Sequence, residues 1–508
     1  MSSDRLRAER LQKLAALRQM GVDPYGGRVD VTAEIAKVRE MCPPLETEVP
    51  TAVSVAGRIM AIRDMGKSKW LDLVDRSGKI QVNLLAKRLG DSFSQLQYLD
   101  IGDFLAVAGD LMRSKVGEIT IFATSARIIC KSLEPLPEKW KGLRDVETRY
   151  RRRYLDLVAN EEVRNRFVLR SRIIKAIRHF LDERGFLEVE TPMLQPIYGG
   201  AAAKPFITHH HALGIDLYLR ISPETYLKRL LVGGLDRVYE INRNFRNEGI
   251  DTSHNPEFTM LEIYQAYADF EIMMDLAETL VETVARETIG SARVTFDGHD
   301  INFAKPWPRR RIHDLVREIA DADPDDEESL CQALRKRNAI SPEQLNHMRR
   351  LEPQLRRDML IKEAMDEIVE PLLIQPTFVT HYPASLNPLC KRNSADPTLS
   401  DRFEVIAAGM ELANAFSELN DPMEQRRRFE EQVRRQEAEE RYCNAVDEDY
   451  VSALEVGMPP AGGLGIGIDR LVMLLTGQTS IRETILFPTL RPQAPAESPG
   501  AGATAGEA

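Results

Sequence analysis

Cysteine is scarce in this chain. Its 508 residues include five, Cys42, Cys130, Cys331, Cys390 and Cys443, spread far apart with no CxxC or Cys/His ligand spacing. This excludes a disulfide framework and a zinc site built on local cysteine pairs, and predicts buried apolar fillers instead. Long apolar runs are also missing, so no membrane span is expected. The first residues, MSSDRLRAERLQKLAALRQ, are charged throughout and lack the apolar stretch of a secretory signal, which points to a cytoplasmic protein. Positive charge is not in excess: 68 Lys and Arg stand against 78 Asp and Glu, a net charge of -10. That disfavours a protein coated with nucleic acid but leaves room for a partner held by a local basic patch. Two clusters offer themselves, Arg149, Arg151, Arg152 and Arg153 in RYRRRYLDL, and Arg5, Arg7, Arg10, Lys13 and Arg18 near the N-terminus. Each alone is more often a solvated face.

Familiar catalytic signatures are absent too. No glycine loop ends in GK[ST], no GxGxxG opens a βαβ unit, and no local Ser/His/Asp or Cys/His arrangement marks a covalent mechanism. His209, His210 and His211 are consecutive, so they cannot all point one way, and no acidic partner stands at ligand spacing. No metal site is expected there.

What is present is ordinary globular composition, 43% hydrophobic and 29% charged, over a length that suits two or three domains. Leucines at helical spacing predict an amphipathic helix over residues 3–20, ended by Gly21 and Pro24, within an N-terminal extension of residues 1–50. From Thr51 the texture turns to short β runs, SVAGRIMAIR, KWLDLVD, KIQVNLL, FLAVAGDLMR and EITIFATSARII, with a helix-like DSFSQLQYL after the third. Five strands in so few residues predict a small barrel of the OB type over 51–135, a fold that most often binds single-stranded nucleic acid on aromatic platforms. Trp70, beside Lys67 and Lys69, is either such a platform or a core residue. A Pro-rich connector (136–160) leads to a large mixed domain (161–490), and an Ala/Pro/Gly-rich tail (491–508) is expected to be disordered.

Three segments of the large domain carry the chemistry. In RGFLEVETPML, residues 184–194, a helix ends at Gly185 and a strand is expected to run into Thr191 and Pro192, a structural element that suits a dimer interface. In RNFRNEGIDTSHNPEFTMLEIY, residues 243–264, Arg243 and Arg246 leave a strand for a charged turn, after which Phe258, Met260, Glu262 and Tyr264 share one face by period two. A carboxylate and a phenol on that face make a poor core but a good wall for a cationic ligand, beside arginines suited to phosphate or carboxylate. In GGLGIGIDRLVML, residues 462–474, alternating Gly463, Gly465 and Gly467 clear one strand face for a flat ligand, and Arg470 in the following helical turn points to the same place. A fourth segment, residues 401–421, supplies carboxylates. If Ala408 and Gly409 form a two-residue hairpin turn, Ile406 pairs with Glu411 and Glu404 shares their face. Two such carboxylates call for a cation, Mg²⁺ carried by a nucleotide being the natural one. Glu411 has the opposite parity from Asn414, Phe416 and Glu418, so a bulge or twist is needed for all to face one cavity.

At these residues the chain resembles the class II aminoacyl-tRNA synthetases, within subclass IIb most closely the bacterial lysyl-tRNA synthetases. RGFLEVETP resembles their first motif, FRNEGIDTSHNPEFT the second and GLGIGIDR the third, and the likeness extends to GGAAAKPFITHH, YLRISPETYLKRL and ANAFSELNDP. The resemblance implies an α+β protein: an N-terminal five-stranded OB-fold that reads the anticodon, then a catalytic domain on an antiparallel sheet flanked by helices. It implies a homodimer using ATP, L-lysine and tRNA(Lys), with Mg²⁺ bound beside ATP. Arg246 would bridge the amino-acid carboxylate and the α-phosphate. Glu248, His254, Asn255 and Phe258 would hold ATP, with adenine between Phe258 and Arg470, and Glu404 and Glu411 would hold Mg²⁺. Gly200 and Glu224 would receive the α-ammonium group, and Glu262, Tyr264, Asn414, Phe416 and Glu418 would line the side-chain pocket. Arg63, Trp70, Gln81 and Glu118 match anticodon-reading positions. An aspartyl or asparaginyl enzyme, a protein-lysylating paralogue and a nucleic-acid-binding regulator with a dead site are the alternatives. The acidic pocket, the OB-fold and the intact Arg246, Glu404, Glu411 and Arg470 speak against them in turn. Ala413 and Ala415 stand where some relatives carry glycine, Trp70 where many carry Phe, and Ala408 where a type I′ turn prefers Asn or Gly.

Overall fold

From Thr51 onward every second side chain is apolar, and each strand of the first unit buries that set on one side. The computed structural model describes residues 3–44, 49–137, 143–201, 203–438 and 446–493. Strands β1 (Thr51–Asp64), β2 (Ser68–Val74), β3 (Lys79–Leu85), β4 (Phe104–Arg113) and β5 (Ile119–Cys130) close a barrel in the order β1-β2-β3-β5-β4. Val55, Ile59, Leu71, Leu73, Val82, Leu105 and Ile121 fill it. A register shift between Ile59 and Ala61 lets β1 bend from one neighbour to the other. The segment after β3 is a helical turn, Ala86–Leu89, and a 3₁₀ stretch, Gly90–Tyr98, whose Leu89 and Leu96 join the barrel core. Helix α1 (Ser3–Gln19) packs Leu17 on that core. Two of its cations are spent locally, Arg10 donating to the carbonyls of Ile101, Ser132 and Glu134 and Lys13 pairing with Asp100.

The chain divides into two compact units, residues 1–149 with 154–160, and 150–153 with 161–508. The expected connector at 136–160 is helical over Val146–Arg151 and Arg153–Ala159. Its arginine cluster is not one surface patch. Arg153 is fully buried and donates to the carbonyls of Arg482, Ile485 and Leu486, while Arg149 pairs with Asp156.

The second unit is built on an eight-stranded sheet. Its strands are β6 (Leu187–Glu188), β7 (Arg237–Phe245), β8 (Glu257–Ala266), β9 (Arg309–Arg311), β10 (Thr377–Thr380), β11 (Arg402–Ala407), β12 (Met410–Ser417) and β13 (Ala461–Gly467), in the order β9-β10-β11-β12-β13-β8-β7-β6. The six central strands pair antiparallel; only the edge strands β9 and β6 run parallel to their neighbours. Helices α2 (Glu161–Asp182) and α4 (Phe270–Ile289) bury Ile177, Phe180, Met273 and Leu280 against Ile263, Phe403, Val405 and Ile466 of the sheet, leaving the opposite face open for a site. Between β9 and β10 the chain makes a helical insertion with a core of its own, including Leu330, Leu334, Leu360 and Val369.

Several expectations need correction. The first-motif strand covers only Leu187–Glu188 and stops short of Thr191, whose hydroxyl donates to Glu240. His209 does have an acidic partner, Asp216, 2.7 Å away across a hairpin, though no group of three metal-ligating side chains forms among the described residues. Cys331 and Cys390 are buried as expected, but Cys42 and Cys130 are half-buried, and Cys443 lies outside the described residues, as does the tail beyond residue 493. No helix among the described residues is long and apolar enough to cross a membrane.

Candidate active site and nucleic-acid interface

The open face of the central sheet floors a cavity of about 1660 Å³. Sheet pairing explains why. β13 lies between β8 and β12, so Gly463 stands opposite Tyr264 and Phe416, and Gly465 opposite Glu262 and Asn414. A methyl group on Gly463 would overlap Glu418 Oε1 and come within 2.6 Å of the Tyr264 ring; on Gly465 it would lie 3.3 Å from Met260 and 3.4 Å from Glu262. The alternating glycines are thus a cleared floor, as their spacing predicts. Gly467 passes into α6 (Ile468–Thr476), which carries Arg470 in its first turn.

The second motif forms one wall. Phe245 pairs with Glu257, and the Arg246 amide donates to the Pro256 carbonyl, closing the loop that carries Glu248 and His254 at the rim. Arg246 lays its guanidinium 5.1 Å from the centre of the Phe258 ring, and its buried Nε has no hydrogen-bond partner among the described residues. A half-buried cation with a spare donor at the cavity wall is a seat for an anion. Arg470 donates to the Glu411 carbonyl and lies 3.4 Å from both Glu411 Oε2 and His254 Nε2, while His254 Nδ1 faces Asp251 at 2.9 Å. Asn255 is buried and turned to the backbone: it donates to the Glu257 carbonyl and accepts from the Thr489 amide. Sequence reasoning passed over Asp469. It accepts from the Thr259 amide at 2.8 Å and from Arg170 at 2.6 Å, which ties the start of α6 to β8 and sets the reach of Arg470.

The fourth segment forms the hairpin that was expected. Ile406 pairs with Glu411 and Ala407 with Met410, and Ala408 and Gly409 both adopt left-handed backbone, φ 54 and 68, as a type I′ turn requires. The bulge is there as well. Val405 pairs with Ala413 while Ile406 pairs with Glu411, so Leu412 is the extra residue, and Glu404 comes to stand opposite Asn414. Glu404 is buried, accepting from Arg402 and from the Tyr382 hydroxyl, and burial pushes its pKa up, with Glu411 adding to the rise. A third carboxylate, which sequence reasoning missed, comes from the helical insertion: Glu370 accepts from the Glu411 amide, and burial followed by the charge of Glu411 pushes it up to about 8. Mutually repelling carboxylates of this kind fit a cation that also has other ligands, as Mg²⁺ has when it arrives on phosphate oxygens.

At the far end of the floor three carboxylates converge. Gly200, at φ +82, backs directly onto Ser222 and Glu224, where a Cβ would have 3.0 Å contacts. Glu224 opens α3 (Glu224–Val232), and its Oε1 accepts from Lys228 at 2.6 Å. Glu418 is fully buried, with Oε1 against Gly463, and also ion-pairs with Lys228. Glu262 is buried beside the Tyr264 hydroxyl, 3.4 Å away, and has no ion pair of its own among the described residues. Burial, then the charge of Glu224, push its carboxyl up to about 8, against the lowering effect of Arg246. Asn414 accepts from Arg402, and Phe416 presents its ring to Lys228.

In the barrel, β1, β2, β3 and β5 set Arg63, Trp70, Asn83 and Phe122 in register across one outward face. Trp70 is half-buried with its ring edge-to-face on Phe122 at 6.2 Å, which makes it part of a surface aromatic pair and not a core filler. The next row holds Asp72, Gln81 and Thr120, whose hydroxyl donates to Gln81, and Arg63 lies 3.6 Å from Asp72. Glu118, at the start of β5, sits 3.7 Å from Arg39. Such a face, aromatic with hydrogen-bonding side chains around it, suits unstacked bases. Phe122 was overlooked because its strand reads simply as barrel.

Comparison with known families agrees with this architecture. Residues 145–491 match the family of class II tRNA synthetases (D, K and N), and residues 53–129 match the OB-fold nucleic acid binding domain. The chain belongs to the class II tRNA synthetases. Among its relatives it is 52% identical over 489 residues to a lysine–tRNA ligase of Moorella thermoacetica, covering 96% of this chain and 98% of that one. It is 52% identical over 485 residues to one of Carboxydothermus hydrogenoformans (95% and 97%), and 48% identical over 502 residues to one of Xanthomonas oryzae (96% of each).

Proposed function

We propose that the protein is a lysine–tRNA ligase: it joins the carboxylate of L-lysine to the α-phosphate of ATP, releases pyrophosphate, and passes the lysyl group to the terminal ribose hydroxyl of tRNA(Lys). The observation that carries this is the pair of buried carboxylates, Glu224 and Glu262, lining the end of a cavity whose other wall bears Arg246 and Phe258, with Glu418 buried against Gly463 of its floor. An aspartate side chain would meet like charge there, because the Lys228 ammonium group is already taken up by Glu224 and Glu418, and the neutral amide of asparagine would leave the carboxylates unmatched, whereas an ammonium group finds Glu262 and the Tyr264 hydroxyl. Buried polar groups left unpaired by a wrong substrate can give roughly 10⁴-fold discrimination.

In this reading Gly200 and Glu224 hold the α-ammonium group, and Glu262, Tyr264, Asn414, Phe416 and Glu418 surround the side chain. The amino-acid carboxylate is already ionised at neutral pH, so the attack on the α-phosphate needs no general base. Arg246 brings the two anions together and offsets the charge that grows on the phosphate, its free Nε supporting that role. Phe258 and Arg470 stack on the adenine, with Glu248, His254 and Asn255 framing the nucleotide. Asn255 does so by holding the loop, since its amide is engaged with backbone. Glu404 and Glu411 would hold Mg²⁺, which when bound shields the phosphate charge. The barrel over 51–135 reads the anticodon through Arg63, Trp70, Gln81 and Glu118, and residues 161–490 carry the chemistry. Exposed Leu187, Met193 and Leu194, in and beside the first motif, support a homodimer, and we place the protein in the cytoplasm.

Charging of unfractionated tRNA with radiolabelled lysine, aspartate or asparagine tests the assignment. Lysine alone should be incorporated; aspartyl- or asparaginyl-tRNA as the main product would overturn it.

A further inference from the structure

The three carboxylates of the amino-acid pocket do not stand alone. Lys228 lies one turn after Glu224 on α3, with its side chain fully buried, and its ammonium group pairs with Glu224 at 2.6 Å and with Glu418. The rings of Phe416 and Tyr450 lie 5.4 and 6.0 Å from it and wall it on that side. Glu418 Oε1 is buried, makes no hydrogen bond among the described residues and is directed at Gly463, on the cavity floor. One oxygen of this carboxylate is therefore anchored by Lys228, and the other faces Gly463 at the cavity floor.

We infer that Lys228 is a specificity-determining positioning residue, which fixes Glu224 and Glu418 from behind and sets the pocket's charge to match the two ammonium groups of a diamino acid. The inference rests on the lysine-pocket reading above and extends it. Three carboxylates facing a substrate with two ammonium groups leave one negative charge in excess. Lys228 cancels it. Of the neighbouring cations, Arg402 is already paired with Glu404, and Arg246 is matched by the substrate's own carboxylate. The occupied site is then neutral, which a water-poor cavity requires. A monocationic amino acid would leave one carboxylate uncompensated, so the same count works against it. Lys228 does not line the cavity; it lies behind the closed end, on the same face of the sheet, and acts through Glu224 and Glu418.

The test is ATP–pyrophosphate exchange by the full-length protein, with KM for lysine and for ATP measured separately for wild type, Lys228→Met, Glu418→Gln and the double variant. Lys228→Met should raise KM for lysine about 100-fold while moving KM for ATP less than about twofold. In the Glu418→Gln background, where the excess charge is already gone, the same substitution should cost less than about tenfold. An unchanged lysine KM in Lys228→Met, equal losses for lysine and ATP, or strictly additive effects would overturn the inference. If Lys228→Met does not fold, the comparison of Glu418→Gln with the double variant decides by the same tenfold bound. Wild-type protein with no lysine-dependent exchange would instead overturn the pocket reading itself.

Discussion

Glu262 makes lysine binding depend on pH in a direction that the geometry fixes. Its carboxyl is buried and faces the like charge of Glu224, which together push it up to about 8 in the empty pocket. Below that pH the group is neutral, and a neutral acid has little to offer an ammonium ion. Lysine must therefore bind with release of a proton, and its apparent affinity is reduced by the fraction of protein in which Glu262 is still protonated. For one group with this pKa the penalty is about 100-fold at pH 6, about tenfold at pH 7 and about twofold at pH 8. The lysine Kd should accordingly tighten by about fiftyfold from pH 6 to pH 8 and level off above it, about 2.3 kcal/mol in all. Isothermal titration in buffers of different ionisation enthalpy reads both the affinity and the proton released, close to one per lysine at pH 7. Glu262→Gln should bind lysine weakly and lose the pH slope. A slope that survives in Glu262→Gln, or a wild-type affinity that is flat across this range, would refute the reasoning.

Other perturbations separate the parts of the site. Arg246→Ala should lower exchange by 10³-fold or more, because it removes the cation that holds two anions together; single-turnover adenylate formation checks it. Trp70→Ala should weaken tRNA charging, seen as a higher KM for tRNA, while lysine-dependent exchange stays within twofold; loss of exchange would contradict the division of labour between the two domains. Gly463→Ala places a methyl group against Glu418 and the Tyr264 ring. It should destabilise the fold by about 1–3 kcal/mol and raise KM for lysine more than KM for ATP, as thermal melts and exchange kinetics would show.

Much of this site is legible in the sequence, for a physical reason. Side-chain direction on a strand follows from parity, so the face shared by Phe258, Met260, Glu262 and Tyr264 and the glycine-cleared face of β13 can be read without coordinates. That a bulge or twist must separate Glu411 from Asn414 follows as well, though only the strand pairing puts the bulge at Leu412. What stayed hidden depends on pairing across long separations. Asp469 matters because it bonds to the Thr259 amide, Glu370 because a distant insertion brings it to Glu411, and Phe122 because β5 lies beside β3. Lys228 looks in sequence like one more residue of an amphipathic helix; only the fold sets it against Glu418. The arginine cluster misled in the opposite sense, since charge density in sequence gives no sign that Arg153 is buried among carbonyl groups.

The central claim is that this cavity activates lysine. Pyrophosphate exchange into ATP, run with each of the twenty amino acids in turn, measures it without reference to tRNA. Lysine should stimulate exchange far above every other amino acid, and stimulation by aspartate or asparagine, or none by lysine, would contradict the account.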